Sequence, residues 1–293
     1  MMKIVDAARV MGGVQVVNSV VSRQEDSAMR HHVIVFVVAS AAVFASVLAG
    51  AQMKPWNNAG LEGGSAGPSG PAPRRDLSGT WDAGTGGIQP TGHIAAPFTA
   101  RGDQMAKANK PGNGTRIVSV TDDNDPLSTM GDPTGFPRII LYELRPFQIV
   151  QTPNQVLILY MFEKRWRVIW TDGRALPTNP DPRWYGYSVG RWVDDSTLVV
   201  QSVGTDDRTW LDNAGNPHSN NLRVEERYHR VNQGTMELTV TLEDPVVYTK
   251  PWMPLDKLAI RLMPNGADLM EMIPSASEAA AYRRVIASQA KTK

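Results

Sequence analysis

The densest group of side chains able to do chemistry lies between Thr205 and Glu226, where Asp206, Asp207, Arg208, Trp210, Asp212, His218, Glu225 and Glu226 share one loop and the start of a strand. A carboxylate that orients an imidazole leaves it able to move a proton near neutral pH. His218, Glu226 and Asp212 are therefore the candidate catalytic residues. The same composition also suits a solvated loop whose Asp and Asn residues only make turns. Glu226 is the most informative of the group, because alternation along Leu222, Val224, Glu226 and Tyr228 turns it towards the apolar face of its strand. An inward carboxylate is costly unless paired. Either a basic residue such as Arg191 or Arg261 neutralises it, or it faces a polar cavity.

Aromatic residues give the second signal. Trp166, Trp170, Trp184, Tyr185, Tyr187, Trp192 and Trp210 fall within one stretch of the chain. Clustered Trp and Tyr can line a cavity for an apolar or ring-shaped ligand, their N–H and O–H groups setting its orientation. They equally suit the core of a domain without disulfides. Trp166, Trp170, Trp184, Tyr185 and Trp210, with Arg208, are the candidate ligand-binding residues, and Trp184 and Tyr185 sit in a Pro-bounded loop suited to a pocket.

Other chemistries find little support. Downstream of the N-terminal segment the histidines are His93, His218 and His229, with no cysteine and no His pair at helical spacing, so no metal site is expected. The run Thr121-Asp122-Asp123-Asn124-Asp125 lacks the Gly and the closing Glu of a calcium loop and reads as a turn. A haem would need His218 or His229 as axial ligand, and neither is marked for that role. The G-x-S-x-G match at Gly63–Gly67 has no strand before it or helix after it, and phosphate-cradling glycine loops are absent. No cofactor is expected.

The elements that must position these residues are mostly strands. Phe147–Gln151, Val156–Phe162, Arg165–Trp170, Ser188–Trp192, Thr197–Val203, Leu222–Val231, Met236–Leu242, Leu258–Met263 and Asp268–Ile273 read as strands separated by turn residues, after a first strand near Leu77–Asp82. No helical pattern separates them, which argues against a parallel βαβ sheet. Residues 88–137, broken by Pro90, Pro97, Pro111, Pro126 and Pro133, read as a long loop wrapping one end of the domain, with one short helix near Gln104–Asn109. Ser275-Ala276-Ser277-Glu278 has capping-box spacing and opens a terminal helix running to about Ala290. The expected fold is an all-β, antiparallel up-and-down barrel with that wrapping loop and a C-terminal helix.

The front of the chain reads differently. Met29-Arg30-His31-His32, the apolar run Val33–Leu48 and Ala49-Gly50-Ala51 form a signal-peptide layout for residues 29–51, which makes 1–28 an extension ahead of the true start. Residues 52–75, rich in Gly, Pro and Ser, form a flexible tether, and 76–293 the barrel domain. A periplasmic or secreted location follows, with membrane contact only through an uncleaved signal segment. A net charge of +1 with interspersed signs gives no electrostatic case for nucleic acid.

Gly79-Thr80-Trp81 on a first strand, followed by meandering strands and a late helix, resembles the lipocalin-like (calycin) barrels, whose Gly-x-Trp tryptophan closes one barrel end. The stretch Arg138–Trp252 is similar to an uncharacterised family of exported bacterial proteins. It carries Tyr142-Glu143-Leu144-Arg145-Pro146-Phe147, Trp170-Thr171-Asp172-Gly173-Arg174, Asp181–Gly190 and Asp207-Arg208-Thr209-Trp210-Leu211-Asp212. These resemblances imply location and fold class but no activity. The leading expectation is an exported barrel that binds a small hydrophobic or aromatic molecule. The alternatives are a hydrolase, lyase or isomerase using His218, Asp212 and Glu226, and a structural or interaction domain.

Overall fold

A computed structural model describes residues 69–84, 95–112, 114, 116–142, 144–273 and 275–290. The expected signal peptide, the extension ahead of it, most of the tether, the G-x-S-x-G match and His93 lie outside the described residues. Nine strands close into a barrel in chain order. They are β1 (Gly79–Asp82), β2 (Phe147–Gln151), β3 (Gln155–Tyr160), β4 (Trp166–Trp170), β5 (Tyr187–Trp192), β6 (Thr197–Val203), β7 (Arg223–Asn232), β8 (Thr235–Glu243) and β9 (Trp252–Leu262). The helices among the described residues are α1 (Ala100–Ala108), α2 (Pro126–Met130), α3 (Arg138–Leu141) and α4 (Ala276–Ala290), with a 3-10 turn at Val120–Asp122.

The barrel is mixed, not purely antiparallel: β4 and β5 run parallel, and every other neighbouring pair is antiparallel. Parity requires this. If every neighbour reversed direction, an odd number of strands could not close, so nine strands need a parallel pair somewhere. It falls between β4 and β5 because residues 171–186, carrying Pro177, Pro180 and Pro182, take the chain back along the barrel. A tight hairpin cannot make that return, whereas parallel pairing needs a crossover of about a dozen residues or more.

Alternation decides what faces inward. Val224, Glu226, Tyr228 and Arg230 of β7 and Met236, Leu238, Val240 and Leu242 of β8 are buried. The apolar ones among them and Tyr228 join Trp81, Phe147, Ile158, Ile169 and Leu198 in one apolar cluster that also takes in Phe136 and Ile139–Leu141, so side chains occupy the barrel interior. Trp81 is fully buried, donates Nε1–H to the Leu77 carbonyl at 2.9 Å, and lies under the Arg230 guanidinium, 4.9 Å from its ring.

Two regions differ from the sequence reading. The expected long loop carries short helices instead: α1 starts at Ala100 because Thr99 Oγ1 accepts the Gly102 N–H at 2.9 Å, and α2 starts where Asp125 caps Leu127 N–H ahead of Pro126. The expected hairpin of Leu258–Met263 with Asp268–Ile273 does not form. β1 pairs with β9 through Trp81 and Leu262, which closes the barrel and leaves no free edge for another strand. Only Met272 makes an isolated bridge in that region, to Phe162. The terminal helix forms with its capping box complete: Ser275 N–H donates to Glu278 Oε2 at 2.8 Å and Glu278 N–H to Ser275 Oγ at 3.2 Å.

Candidate functional site

The aromatic residues converge outside the barrel. β4 and β5 pair only through Ile169 with Ser188 and Trp170 with Val189. Ahead of Ser188 the chain turns at Gly186, where φ is +58° and a Cβ would lie 2.6 Å from the Val203 carbonyl oxygen, so only glycine fits without strain. A groove of about 570 Å³ opens over this short seam. Inward Arg167 and Ile169 force Trp166, Val168 and Trp170 onto the outer face of β4, where they form one wall. Trp184, Tyr185 and Tyr187, on the chain entering β5, form the other, and Arg174–Pro177 lie above. Trp166 is 64 % exposed although it is a large apolar ring.

Arginines stack on these rings. Arg174 lies 3.5 Å from the Trp170 ring centre, Arg183 4.1 Å from that of Tyr187, and Arg208 4.3 Å from that of Trp184. Each stack helps to hold a ring in place. Asp172 grips Arg174 at 2.6 Å, and the hydrogen bond from that arginine lowers the Asp172 pKa. Asp206 grips Arg208 at 2.7 Å. The Tyr185 hydroxyl donates to buried Glu163 at 3.0 Å, whose other oxygen accepts from the Thr134 N–H at 2.7 Å. Burial, then the neighbouring Glu163 charge, raises the Tyr185 pKa and keeps the phenol protonated.

Inside the barrel, Glu226 points inward as alternation requires, but its partner is neither Arg191 nor Arg261. It is Arg167, whose Nη1 donates to Oε1 at 2.9 Å and whose Nη2 donates to Oε2. Sequence distance hid this pairing: β4 and β7 are not hydrogen-bonded neighbours and meet only across the barrel interior. Tyr228 adds a hydroxyl donor to Glu226 at 2.6 Å. Ser188 and Ser202 accept from Arg167 at 3.0 and 3.1 Å. The guanidinium also packs 3.9 Å from the Phe136 ring centre. Burial works against the Arg167 charge, but the Glu226 carboxylate outweighs it and holds the pKa above the ordinary arginine value. Tyr160, pushed up to about 12 by burial, completes the cluster.

His218 and Asp212 belong to a third place. Residues 209–218 form a loop that is buried throughout, not a solvated one. Such a loop must satisfy its own backbone. Asp212 does much of this by accepting from Ala214 N–H at 2.9 Å, Asn216 N–H at 3.1 Å and the Asn216 side chain at 2.6 Å. Arg116 Nε donates to the Ala214 carbonyl at 2.7 Å, Asn109 to that of Gly215 at 2.9 Å, and the Tyr248 hydroxyl to that of Pro217 at 2.7 Å. His218 is fully buried, with Nε2 2.9 Å from Thr209 Oγ1 and Nδ1 3.2 Å from the Ser219 carbonyl. Burial lowers its pKa and so favours the neutral ring.

The structure thus places Glu226 inside the barrel and His218 and Asp212 in the buried loop 209–218, and none of the three lines the groove. It brings Trp166, Trp170, Trp184 and Tyr185 together there, with Arg208 behind Trp184. Trp210 is buried elsewhere, 5.7 Å from the Arg138 guanidinium. Asp123 and Asp125 of the acidic run are occupied structurally: Asp123 accepts from Gly112 N–H at 3.1 Å, and Asp125 takes two bonds from Arg138 at 2.8 and 2.6 Å. The sequence analysis named Tyr187 in the aromatic cluster but not among the candidate ligand-binding residues, and it did not name Arg174 or Arg183 for the site. The available signal was an arginine a few residues from each ring around the prolines of 177–182. Comparison with known proteins finds no matching family model, no matching curated protein and no matching solved structure.

Proposed function

We propose that this chain is an exported barrel protein that binds a small hydrophobic or aromatic molecule in the groove over the β4–β5 seam. The observation that carries this reading is the meeting of Trp166, Trp170, Trp184 and Tyr185 around about 570 Å³ of open space, a volume in the range of small-molecule sites. Large rings left exposed at a concave surface are costly to keep wet, and a ligand that covers them recovers that hydrophobic free energy. Kinship with lipocalin-like barrels is supported by closure in chain order and by the buried Gly-x-Trp tryptophan, Trp81, although the ligand site proposed here is on the outside wall. Binding is favoured over proton-transfer catalysis because Glu226 is engaged inside the barrel and His218 and Asp212 in the buried loop 209–218, all three away from the groove. The occupied barrel interior favours a second reading, an interaction domain in which the groove receives a side chain of another protein.

Native mass spectrometry of the chain from Gln52 onwards, purified from a periplasmic extract, tests the proposal. A reproducible added mass that disappears in Trp166→Ala/Trp184→Ala is the expected result. A chain that arrives unladen, and that shows no intrinsic fluorescence change with aromatic probes, removes the small-molecule reading.

A further inference from the structure

We infer that the groove's ligand carries a carboxylate beside its ring, and that Arg183 is the residue that holds it; this rests on the groove being a binding site. The lining includes Arg167, Arg174 and Arg183 but no Asp or Glu among the described residues. Those three cations differ in what already neutralises them. Arg167 is spent on Glu226 inside the wall, and Arg174 is spent on Asp172 at the rim. Arg183 has no carboxylate within ion-pair distance among the described residues.

Arg183 is also held ready. Its backbone is fixed on both sides, with Arg183 N–H donating to the Gly204 carbonyl at 2.9 Å and its carbonyl accepting from Gly186 and Asp206 N–H at 3.1 and 3.0 Å. The guanidinium rests on Tyr187, 4.1 Å from the ring centre. A guanidinium resting over a ring face uses none of its N–H groups on a carboxylate, so they can meet one in the two-point geometry that guanidinium favours. A ring between Trp166 and Trp184 with an anionic group at Arg183 uses both features of the groove. Nothing covalent is involved.

The test is quenching of tryptophan fluorescence in the intact chain by 2-naphthoate and by its uncharged counterpart 2-naphthamide. The wild-type protein is expected to prefer the carboxylate by about tenfold, the scale of one charge-assisted contact at a partly exposed site. Arg183→Gln should abolish the preference, so that the two probes bind equally to the variant, and Arg183→Lys should keep part of it. Arg183 is exposed, so these variants are expected to fold. Equal binding of the two probes by the wild type overturns the carboxylate inference and leaves the aromatic groove standing. Binding of neither overturns the groove reading as well.

Discussion

Arg167 lies within β4 and Arg174 just beyond its end, and each holds a carboxylate by two-point contact, yet one pair is inside the barrel and the other at the groove rim. Side-chain exposure is 2 % for Arg167 and 0 % for Glu226, but 46 % for Arg174 and 27 % for Asp172. The chemistry is the same and the consequences are opposite. In the interior each charge needs the other, because desolvation is paid in full and only mutual attraction and added hydrogen bonds offset it. At the rim, water supports either charge alone. An ion pair in the interior is therefore committed to the fold, whereas the pair at the rim contributes little to it.

The largest effect that can break this comparison is removal of one interior partner. Arg167→Met or Glu226→Leu alone should cost about 3–5 kcal/mol by chemical denaturation, since a lone buried charge remains. The double variant should recover most of that loss. Single losses below about 1 kcal/mol, the range of exposed pairs, would mean that the interior pair is wetter than its burial indicates.

A smaller effect should come from His218, which shares its buried loop with Thr209 and feels Asp244, Asp207 and Asp206 nearby. Burial depresses its folded pKa below the ordinary 6.5. The unfolded chain then binds a proton more readily than the folded one, so this contribution is complete above about pH 6.5 and is lost as pH falls from there towards the folded value. Thermal unfolding between pH 8 and pH 5 should show the loss, and His218→Gln should flatten it. A slope unchanged in the variant assigns the acid sensitivity to other groups.

The smallest effect sharpens the other side of the comparison. Asp172→Asn should leave stability unchanged in the same denaturation experiment, although the hydrogen bond from Arg174 holds the Asp172 pKa low. A clear loss there would show that the rim pair fixes the wall of the groove.

Much of the strand layout was legible because alternation reports burial directly. Phe147–Gln151 and Thr197–Val203 have the expected bounds, and Glu226 faces inward for the reason its neighbours gave. The terminal helix was legible from Ser275 and Glu278 because a capping box is a local bond. The burial of His218 was not legible. The loop 209–218 is polar enough to suit solvent, and only Arg116, Asn109 and Tyr248, which reach its carbonyls from distant segments, make burial tolerable. The hairpin expected at Asp268–Ile273 failed for a related reason: the pattern was strand-like, but β1 had taken the edge it needed.

By itself the sequence determined most of the strands up to β8, which face of those strands is apolar, and that the aromatic rings crowd into one stretch, since these follow from period and composition over a few residues. Only the tertiary structure decided that β4 meets β5 in parallel, that Arg167 and not Arg191 or Arg261 neutralises Glu226, and that the tryptophans open outward onto a groove while the barrel interior is filled. Those outcomes depend on ring closure and on which strands face each other across the interior, and no local pattern records either.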